Sequence, residues 1–324
     1  MNISILGGGS WGTALAIHLA RNNHKVKVWE FVAEQAQKMQ EERICPLLPQ
    51  EKLSENIFVS SKMEEVLPGS EVIFVAVPSD KVESSLSNAA PFIGEQPIVI
   101  CSKGFGSDLR LLSDVAREKV KGEIYCLYGP THAEEICKGV FSGIVLAGTG
   151  KYRLKLRKLL RSENLKVELS NDVIGVQVGA ALKNLLAVFT GVIDGAGLGE
   201  NGGLGDNTKA YIMTKGLDEI KQVGVAWGAK KPTFYGLAGL GDVIVTCTSI
   251  HSRNHYVGEQ VGKGRKLDEV LTEMKMVAEG IIMLRNVPLL QEKLKLKLPI
   301  MSGLYQIMVE GKSVREVLNT IFVN

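Results

Sequence analysis

The sequence predicts an α/β first half built on a doubly wound sheet, followed by a mostly α-helical second half. Three observations carry this reading. Strand-like apolar runs alternate with helical periodicity from the N-terminus to about residue 170. The first of those runs breaks into Gly7-Gly-Gly-Ser-Trp-Gly12 and then resumes as a helical stretch. Beyond Asn171 the strand pattern almost vanishes and helical spacing takes over. A chain of 324 residues exceeds one modest core, and the expected division is 1–175 and 176–324.

Asn2 to Leu6 reads as a strand, and Thr13 to Arg21 as the helix after the glycines. Gly7, Gly9 and Gly12 fit the spacing G-x-G-x-x-G. The first glycine permits the sharp turn, the second lets backbone approach a pyrophosphate, and the third lets helix and strand pack closely. The helix start then offers its N–H groups to the anion. Lys25 to Glu30 is an alternating second strand ending in an acid 18 residues after Gly12, near where a partner for a ribose 2′-hydroxyl is expected. This is the Rossmann-type context that the glycine spacing needs in order to mean a dinucleotide.

The rhythm continues. Val32 to Glu42 is helical in character, Cys45 to Pro49 reads as a loop over the fold's edge, and Ile57 to Ser60 is a short strand. Lys62 to Leu67 is a short helix stopped by Pro68-Gly69. Glu71 to Val77 is a near-continuous apolar strand, as expected inside a parallel sheet, and Pro78-Ser79 opens a helix to about Ala89. Strands follow at Gln96–Cys101, Ile124–Tyr128, Phe141–Ala147 and Leu165–Leu169, with helices at Leu109–Lys119 and Lys151–Arg161. In the second half Asp172 can cap a long helix, whose Gly175, Gly179, Ala180 and Ala181 allow close packing. Further helices are expected at Asp206–Val223, Asn254–Gly262, Val277–Leu294 and Ile300–Val309, and Ser313 to Glu316 resembles a capping box for a last one. Gly195 to Gly205 reads as a loop.

Composition bounds the function. A net charge of +3 gives no global case for nucleic acid, and 45% hydrophobic with 23% charged residues does not favour disorder. No run of about 18 apolar residues is apparent, so no membrane span is expected, and the N-terminus shows no secretory signal. The five scattered cysteines form no C-x-x-C pair and read as buried free thiols in a reducing cytoplasm. The five histidines show no ligand spacing, and no metal site is expected.

Ligands of open α/β sheets bind beyond the carboxyl ends of the strands. That rule selects the glycine turn, Ser102-Lys103-Gly104 and Gly129-Pro130-Thr131-His132-Ala133. Lys103 is placed to hold an anion there, or else is a solvated surface lysine. Lys183 and Asn184 interrupt an apolar helical run, so Lys183 either snorkels outward or lies in a pocket where it can serve as an acid/base. Asp242 follows Gly236-Leu-Ala-Gly-Leu-Gly241, a glycine-rich turn before an apolar segment, where a helix N-cap is the common reading. His251-Ser-Arg-Asn-His255 clusters donors at a helix start, where Arg253 suits a phosphate, or forms an exposed polar loop.

Taken together, Gly7 to Ala14, Ser102-Lys-Gly104, Gly129 to Glu134, Leu182-Lys-Asn184, Gly236 to Asp242, Thr246-Cys-Thr248, Ser252-Arg-Asn254 and Val277 to Gly280 resemble the NAD(P)-dependent glycerol-3-phosphate dehydrogenases of bacteria. The resemblance implies reduction of dihydroxyacetone phosphate to sn-glycerol 3-phosphate, which supplies the backbone of phospholipids. It implies NAD as cofactor, with NADP the alternative, and a Rossmann-type N-terminal domain ahead of a helical one.

By resemblance, Gly7, Gly9, Ser10, Trp11 and Gly12 lie along the cofactor, with Glu30, Phe31, Ala133, Arg253, Val277 and Glu279 as further contacts. Lys103, Gly129 and Thr131 line the junction of cofactor and substrate. Lys183 looks like the catalytic acid/base, with Asp242 and Thr246 beside it, Asn184 nearby, and Lys103 also in the catalytic group. Ser252, Arg253 and Asn254 would bind the substrate phosphate.

Two features depart from the family pattern. Many bacterial members carry arginines after the second strand, whereas this chain has Trp29-Glu30-Phe31, from which a preference for NADH over NADPH is expected unless Glu30 faces solvent. Gly195 to Gly205 looks about six residues longer than usual for bacterial members. A 3-hydroxy acid or 6-phosphogluconate dehydrogenase of the same plan would share the glycine turn and a lysine-asparagine pair, but not the pattern from Gly236 to Asn254. A dinucleotide-binding regulator would need no acid/base beside a phosphate grip. Helical domains of this kind often pair as homodimers, although no apolar stripe in this sequence marks an interface.

Overall fold

The computed structural model describes residues 1–197, 203–274 and 278–323, and divides into two compact units, Met1–Val173 and Ile174–Asn324. Strands β1 (Asn2–Leu6), β2 (Lys25–Trp29), β3 (Ile44–Cys45), β4 (Leu48–Lys52), β5 (Ile57–Ser60), β6 (Val72–Val75), β7 (Ile98–Ile100), β8 (Ile124–Tyr128), β9 (Ser142–Ala147) and β10 (Leu165–Ser170) all lie in the first unit. Its helices are α1 (Ser10–Arg21), α2 (Ala33–Glu42), α3 (Met63–Val66), α4 (Val82–Ala89), α5 (Leu112–Lys119), α6 (Ala133–Lys138) and α7 (Arg153–Leu160). The main sheet runs β10-β9-β8-β7-β6-β1-β2-β5.

Burial explains the strand sequences. Every residue of β6, β7 and β8 is buried, because helices cover both faces of the sheet there. The outermost strands β5 and β10 alternate buried with exposed or half-buried positions, as strands with one wet face do. Ile3, Ile5, Val28, Phe74, Val99 and Leu127 from the sheet join Leu15 and Leu19 from α1 in the core.

Several expectations are corrected. Cys45 to Pro49 is not a plain loop: β3 and β4 form a small antiparallel hairpin. The sheet is not parallel throughout, since β9 and β10 pair in parallel with each other but β9 runs antiparallel to β8. The chain turns back after β8 through α6, a helix with no clear periodic signal. The helix expected from Leu109 starts at Leu112, because Asp108 and Leu109 adopt φ of +56° and +59°, outside helical space.

The second unit is helical: α8 (Val173–Ala196), α9 (Asp206–Ala226), α10 (Asp242–Thr248), α11 (Arg253–Gly262), α12 (Leu267–Glu273), α13 (Glu279–Leu284), α14 (Val287–Leu294), α15 (Pro299–Met308) and α16 (Val314–Val323). α10 and α12 were not foreseen. The single helix expected over Val277–Leu294 is two, and Pro288 explains the break. Its ring clashes with the carbonyl four residues back, at Leu284, where α13 ends. The Ser313 hydroxyl accepts the Glu316 N–H at 3.2 Å and so caps α16. The expected loop at Gly195–Gly205 lies partly outside the described residues.

The reading that no long apolar run exists is also corrected. α8 is long and apolar enough to cross a membrane, with a mean hydropathy of 1.6 over its best window. Of that window 89% is buried inside the protein, where α8 forms the core of its unit.

Candidate active site

In the first unit β1 hands over to α1 through the glycine turn. Gly7 adopts φ +116°, and a Cβ there would stand 2.7 Å from the Ala76 carbonyl oxygen. A Cβ on Gly12 would stand 1.9 Å from the Gly7 carbonyl oxygen, so no larger residue lets helix and strand meet this closely. Gly9 is different, because a Cβ there would meet nothing within 4 Å. It caps α1 without any side-chain bond to the first-turn N–H groups, which have no partners inside a helix. Open space before a helix N-terminus suits a pyrophosphate, so the residues present fit a dinucleotide. Ser10 is buried at that N-terminus, and Trp11 is half-buried and packs against the core.

Glu30 follows β2 and is only 8% exposed, which rules out the solvent-facing alternative. Its carboxylate accepts the Val32 N–H at 3.0 Å and further hydrogen bonds from the Gly8 backbone and the Gln35 side chain. Burial raises its pKa above the ordinary carboxylate value, and these bonds oppose the rise. The acid is thus fastened to the glycine turn itself. Phe31, beside it, is 78% exposed and edge-on to Trp29 at 6.1 Å.

Lys103, just beyond β7, is half-buried, and its ammonium donates to the Gly129 carbonyl at 3.5 Å. The Thr131 hydroxyl donates to the same oxygen at 3.3 Å, and Ala133 is buried in the first turn of α6. The structure therefore brings Lys103, Gly129 and Thr131 together at the carboxyl ends of β7 and β8.

In the second unit Lys183 lies at the middle of α8 and is 4% exposed, so it does not snorkel. Its ammonium donates to Asp242 Oδ1 at 2.5 Å and to Thr246 Oγ1 at 2.5 Å. The Thr246 hydroxyl in turn donates to the Asp242 carbonyl at 2.6 Å. Asp242 and Thr246 share a face of α10 because they stand four residues apart. Asp242, 1% exposed, is not the N-cap but the first helical residue, following a π-type turn over Leu237–Gly241. An ammonium and a carboxylate taken out of water compensate one another only when they are this close. Asn184 is buried next to Lys183 on α8.

Ser252 caps α11, its hydroxyl accepting the His255 N–H at 3.2 Å, and Arg253 is exposed at the first helical position. Asn254 Oδ1 accepts the Gly280 N–H at 3.0 Å and thereby holds α13 against α11. Glu279 is half-buried at the start of α13. Val277 lies outside the described residues.

Two acids escaped the sequence reading. Asp194, near the end of α8, receives Lys209 Nζ at 2.7 Å and His255 Nε2 at 2.8 Å. Glu219, buried on α9, accepts the N–H groups of Ile300 and Met301 at 2.6 and 3.0 Å. Pro299, an apt first residue of a helix, was the only signal for the second arrangement; the first had none, since it joins residues 61 apart in sequence.

Known proteins place both units in one family. Family models described as the N-terminus and the C-terminus of NAD-dependent glycerol-3-phosphate dehydrogenase match residues 2–153 and 172–319. The chain is 36% identical to the glycerol-3-phosphate dehydrogenase [NAD(P)+] of Fusobacterium nucleatum, covering 100% of this chain and 97% of that protein. It is 38% identical to the enzyme of that name from Bacillus licheniformis, over 98% and 93% of the two chains. The crystal structure of glycerol-3-phosphate dehydrogenase from Coxiella burnetii superposes with a TM-score of 0.94 at 29% identity, covering 100% of this chain and 99% of that one. The glycine cradle, the buried lysine centre and these full-length matches agree: the chain belongs to the NAD-dependent glycerol-3-phosphate dehydrogenase family.

Proposed function

We propose that this chain reduces dihydroxyacetone phosphate to sn-glycerol 3-phosphate with a nicotinamide cofactor, feeding glycerophospholipid synthesis. The observation that carries the reading is the buried Lys183–Asp242–Thr246 centre, in a chain whose relatives share its full length and carry that activity in their names. The first unit would hold the dinucleotide, at Gly7, Gly9, Ser10, Trp11, Gly12, Glu30 and Phe31. The second would hold the substrate.

NADH, when bound, supplies a hydride to the ketone carbon. The carbonyl oxygen then takes up negative charge, and Lys183 Nζ is the donor for it. Lys183 stabilises that oxygen and gives it a proton, becoming a neutral amine that solvent reprotonates. Asp242 and Thr246 hold the ammonium in one orientation, which spares the reaction that ordering step. Ser252, Arg253 and Asn254 would grip the phosphate, Arg253 through its charged fork. Lys103, Gly129 and Thr131 are further proposed substrate contacts, and Ala133 and Glu279 further proposed cofactor contacts.

The Glu30 geometry supports a preference for NADH. Its carboxylate would repel a 2′-phosphate and accept hydrogen bonds from a ribose diol. Five buried, unpaired cysteines support a reducing compartment, the cytoplasm. Steady-state oxidation of NADH and of NADPH, followed at 340 nm with dihydroxyacetone phosphate, tests the reading. Turnover with dihydroxyacetone phosphate that disappears in Lys183→Ala supports it. Absence of turnover by the purified wild type refutes it, and a higher kcat/KM for NADPH than for NADH refutes the cofactor preference.

A further inference from the structure

Three residues of α8 make polar contacts with α10 and α11. Lys183 reaches Asp242 and Thr246 on α10, the Thr190 hydroxyl donates to the Cys247 carbonyl at 3.5 Å, and Asp194 takes His255 of α11. Residues 190 and 194 fall about 20° to either side of residue 183 around a helix of 3.6 residues per turn, a spread of about 40°. They therefore form one face of α8, read off in three rungs.

Between the rungs the backbones are in direct contact. A Cβ on Gly191 would stand 2.0 Å from the His255 carbonyl oxygen, and one on Gly258 would stand 1.9 Å from the Val188 carbonyl oxygen. The first turn of α11 thus rests on α8 eight residues beyond Lys183, about 12 Å along the axis at 1.5 Å per residue. α8 is a ruler with the acid/base at one mark and the start of α11 at another.

The last rung is fully engaged. Asp194 Oδ1 accepts from Lys209, which also donates to Asp206 at 2.9 Å, while Asp194 Oδ2 accepts from His255. Burial would raise the Asp194 pKa, yet the hydrogen bonds from Lys209 and His255 hold it below the usual carboxylate value. His255 sits directly after Ser252, Arg253 and Asn254, and its own N–H is held by the Ser252 cap. Its main chain and its ring are therefore both fastened, the first to the cap and the second to α8.

We propose that the Asp194–His255 contact is a positioning pair for the known reaction: it sets where the Ser252–Arg253–Asn254 turn presents its donors relative to Lys183, and so governs affinity for the substrate phosphate. This rests on the reading of that turn as the phosphate grip. Neither residue touches the reacting atoms. Loss of the pair lets the grip turn about the glycine contact, which weakens phosphate binding and leaves proton transfer at Lys183 intact.

The test is steady-state kinetics of the full-length enzyme with His255→Ala, His255→Gln, Asp194→Ala and the double variant His255→Ala/Asp194→Ala. Calorimetric binding of sn-glycerol 3-phosphate and of inorganic phosphate accompanies it. His255→Ala is expected to raise KM for dihydroxyacetone phosphate and Kd for both anions roughly 5–20-fold, the low end of what one charge-assisted hydrogen bond is worth, because the pair reaches the anion through the turn. The expected kcat and KM for NADH stay within about twofold, because those report other contacts. The Gln variant, whose amide still donates to Asp194, restores wild-type KM within about threefold. The double variant behaves like Asp194→Ala alone, as paired residues do in a double-mutant cycle. The inference is overturned if kcat falls in step with KM, if the Gln variant does not rescue, or if the two substitutions add. A His255→Ala protein too unstable to measure leaves the Gln variant and the Asp194→Ala cycle to decide on the same criteria. Wild type that turns over dihydroxyacetone phosphate while Arg253→Ala leaves KM unchanged would instead refute the phosphate-grip reading, which separates the two failures.

Discussion

Removing Asp242 should harm this protein more by what it leaves behind than by what it removes. Lys183 is 4% exposed and has its ammonium 2.5 Å from the Asp242 carboxylate. Asp242→Ala deletes the carboxylate that pairs with Lys183 and leaves the buried ammonium without that charge partner. Breaking a buried pair from one side costs about 3–5 kcal/mol, because a charge remains uncompensated. For a unit the size of residues 174–324, which holds both groups, a loss of 1 kcal/mol lowers Tm by about 2–4 °C, so the expected fall in its melting is about 6–20 °C. Lys183→Met/Asp242→Ala removes both charges and leaves no orphan, so it should melt above Asp242→Ala although it has lost one more polar group. Urea denaturation and thermal melting of the two single variants, the double variant and wild type form the cycle. The reasoning is refuted if Asp242→Ala costs under about 1 kcal/mol, or if the two substitutions are additive.

Other outcomes follow from the same geometry. Lys183→Ala should abolish turnover while NADH affinity, read by fluorescence titration, changes little, since no cofactor role is proposed for Lys183. Arg253→Ala should raise KM for dihydroxyacetone phosphate about 10–100-fold with a smaller change in kcat, as expected for lost charged hydrogen bonds of about 1.5–3 kcal/mol. Glu30→Gln should reduce discrimination against NADPH about tenfold or more by removing a negative charge, and unchanged ratios of kcat/KM would count against the role given to Glu30. Glu219 is expected to make stability depend on pH. Burial pushes its folded pKa from 4.5 up to about 7, against the pull of its two N–H donors. The folded state therefore binds more protons than the unfolded state between those values, and stability falls as pH rises through that window, by about 3 kcal/mol in all. Urea denaturation at pH 5 and pH 8 should show this loss in wild type and much less of it in Glu219→Gln.

Much of this molecule is legible in its residue order because the relevant physics is local. The glycine turn is written in consecutive residues, since each glycine answers a backbone requirement within one strand-turn-helix unit. The apolar runs of β6 and β8 announce strands buried on both faces. The long helix through Lys183 announces itself by periodicity, and Ser313 caps the last helix where the spacing places it.

What stayed hidden depends on chain segments that meet only after folding. The reversal of β9 against β8 turns on where α6 sends the chain, and the division of α13 from α14 on one proline ring meeting the carbonyl of Leu284. Lys183 had two readings of equal standing in the sequence. Only the packing of α10 against α8 seals it from water and places Asp242 and Thr246 on its ammonium. Glu30, read as the ribose partner, kept a solvent-facing alternative in the sequence until the fold buried it against Gly8. The order of residues determined which groups this protein has at its strand ends and helix starts. The tertiary structure decided which of them lose water and which find a partner, because burial and pairing are properties of the assembled core and not of the chain.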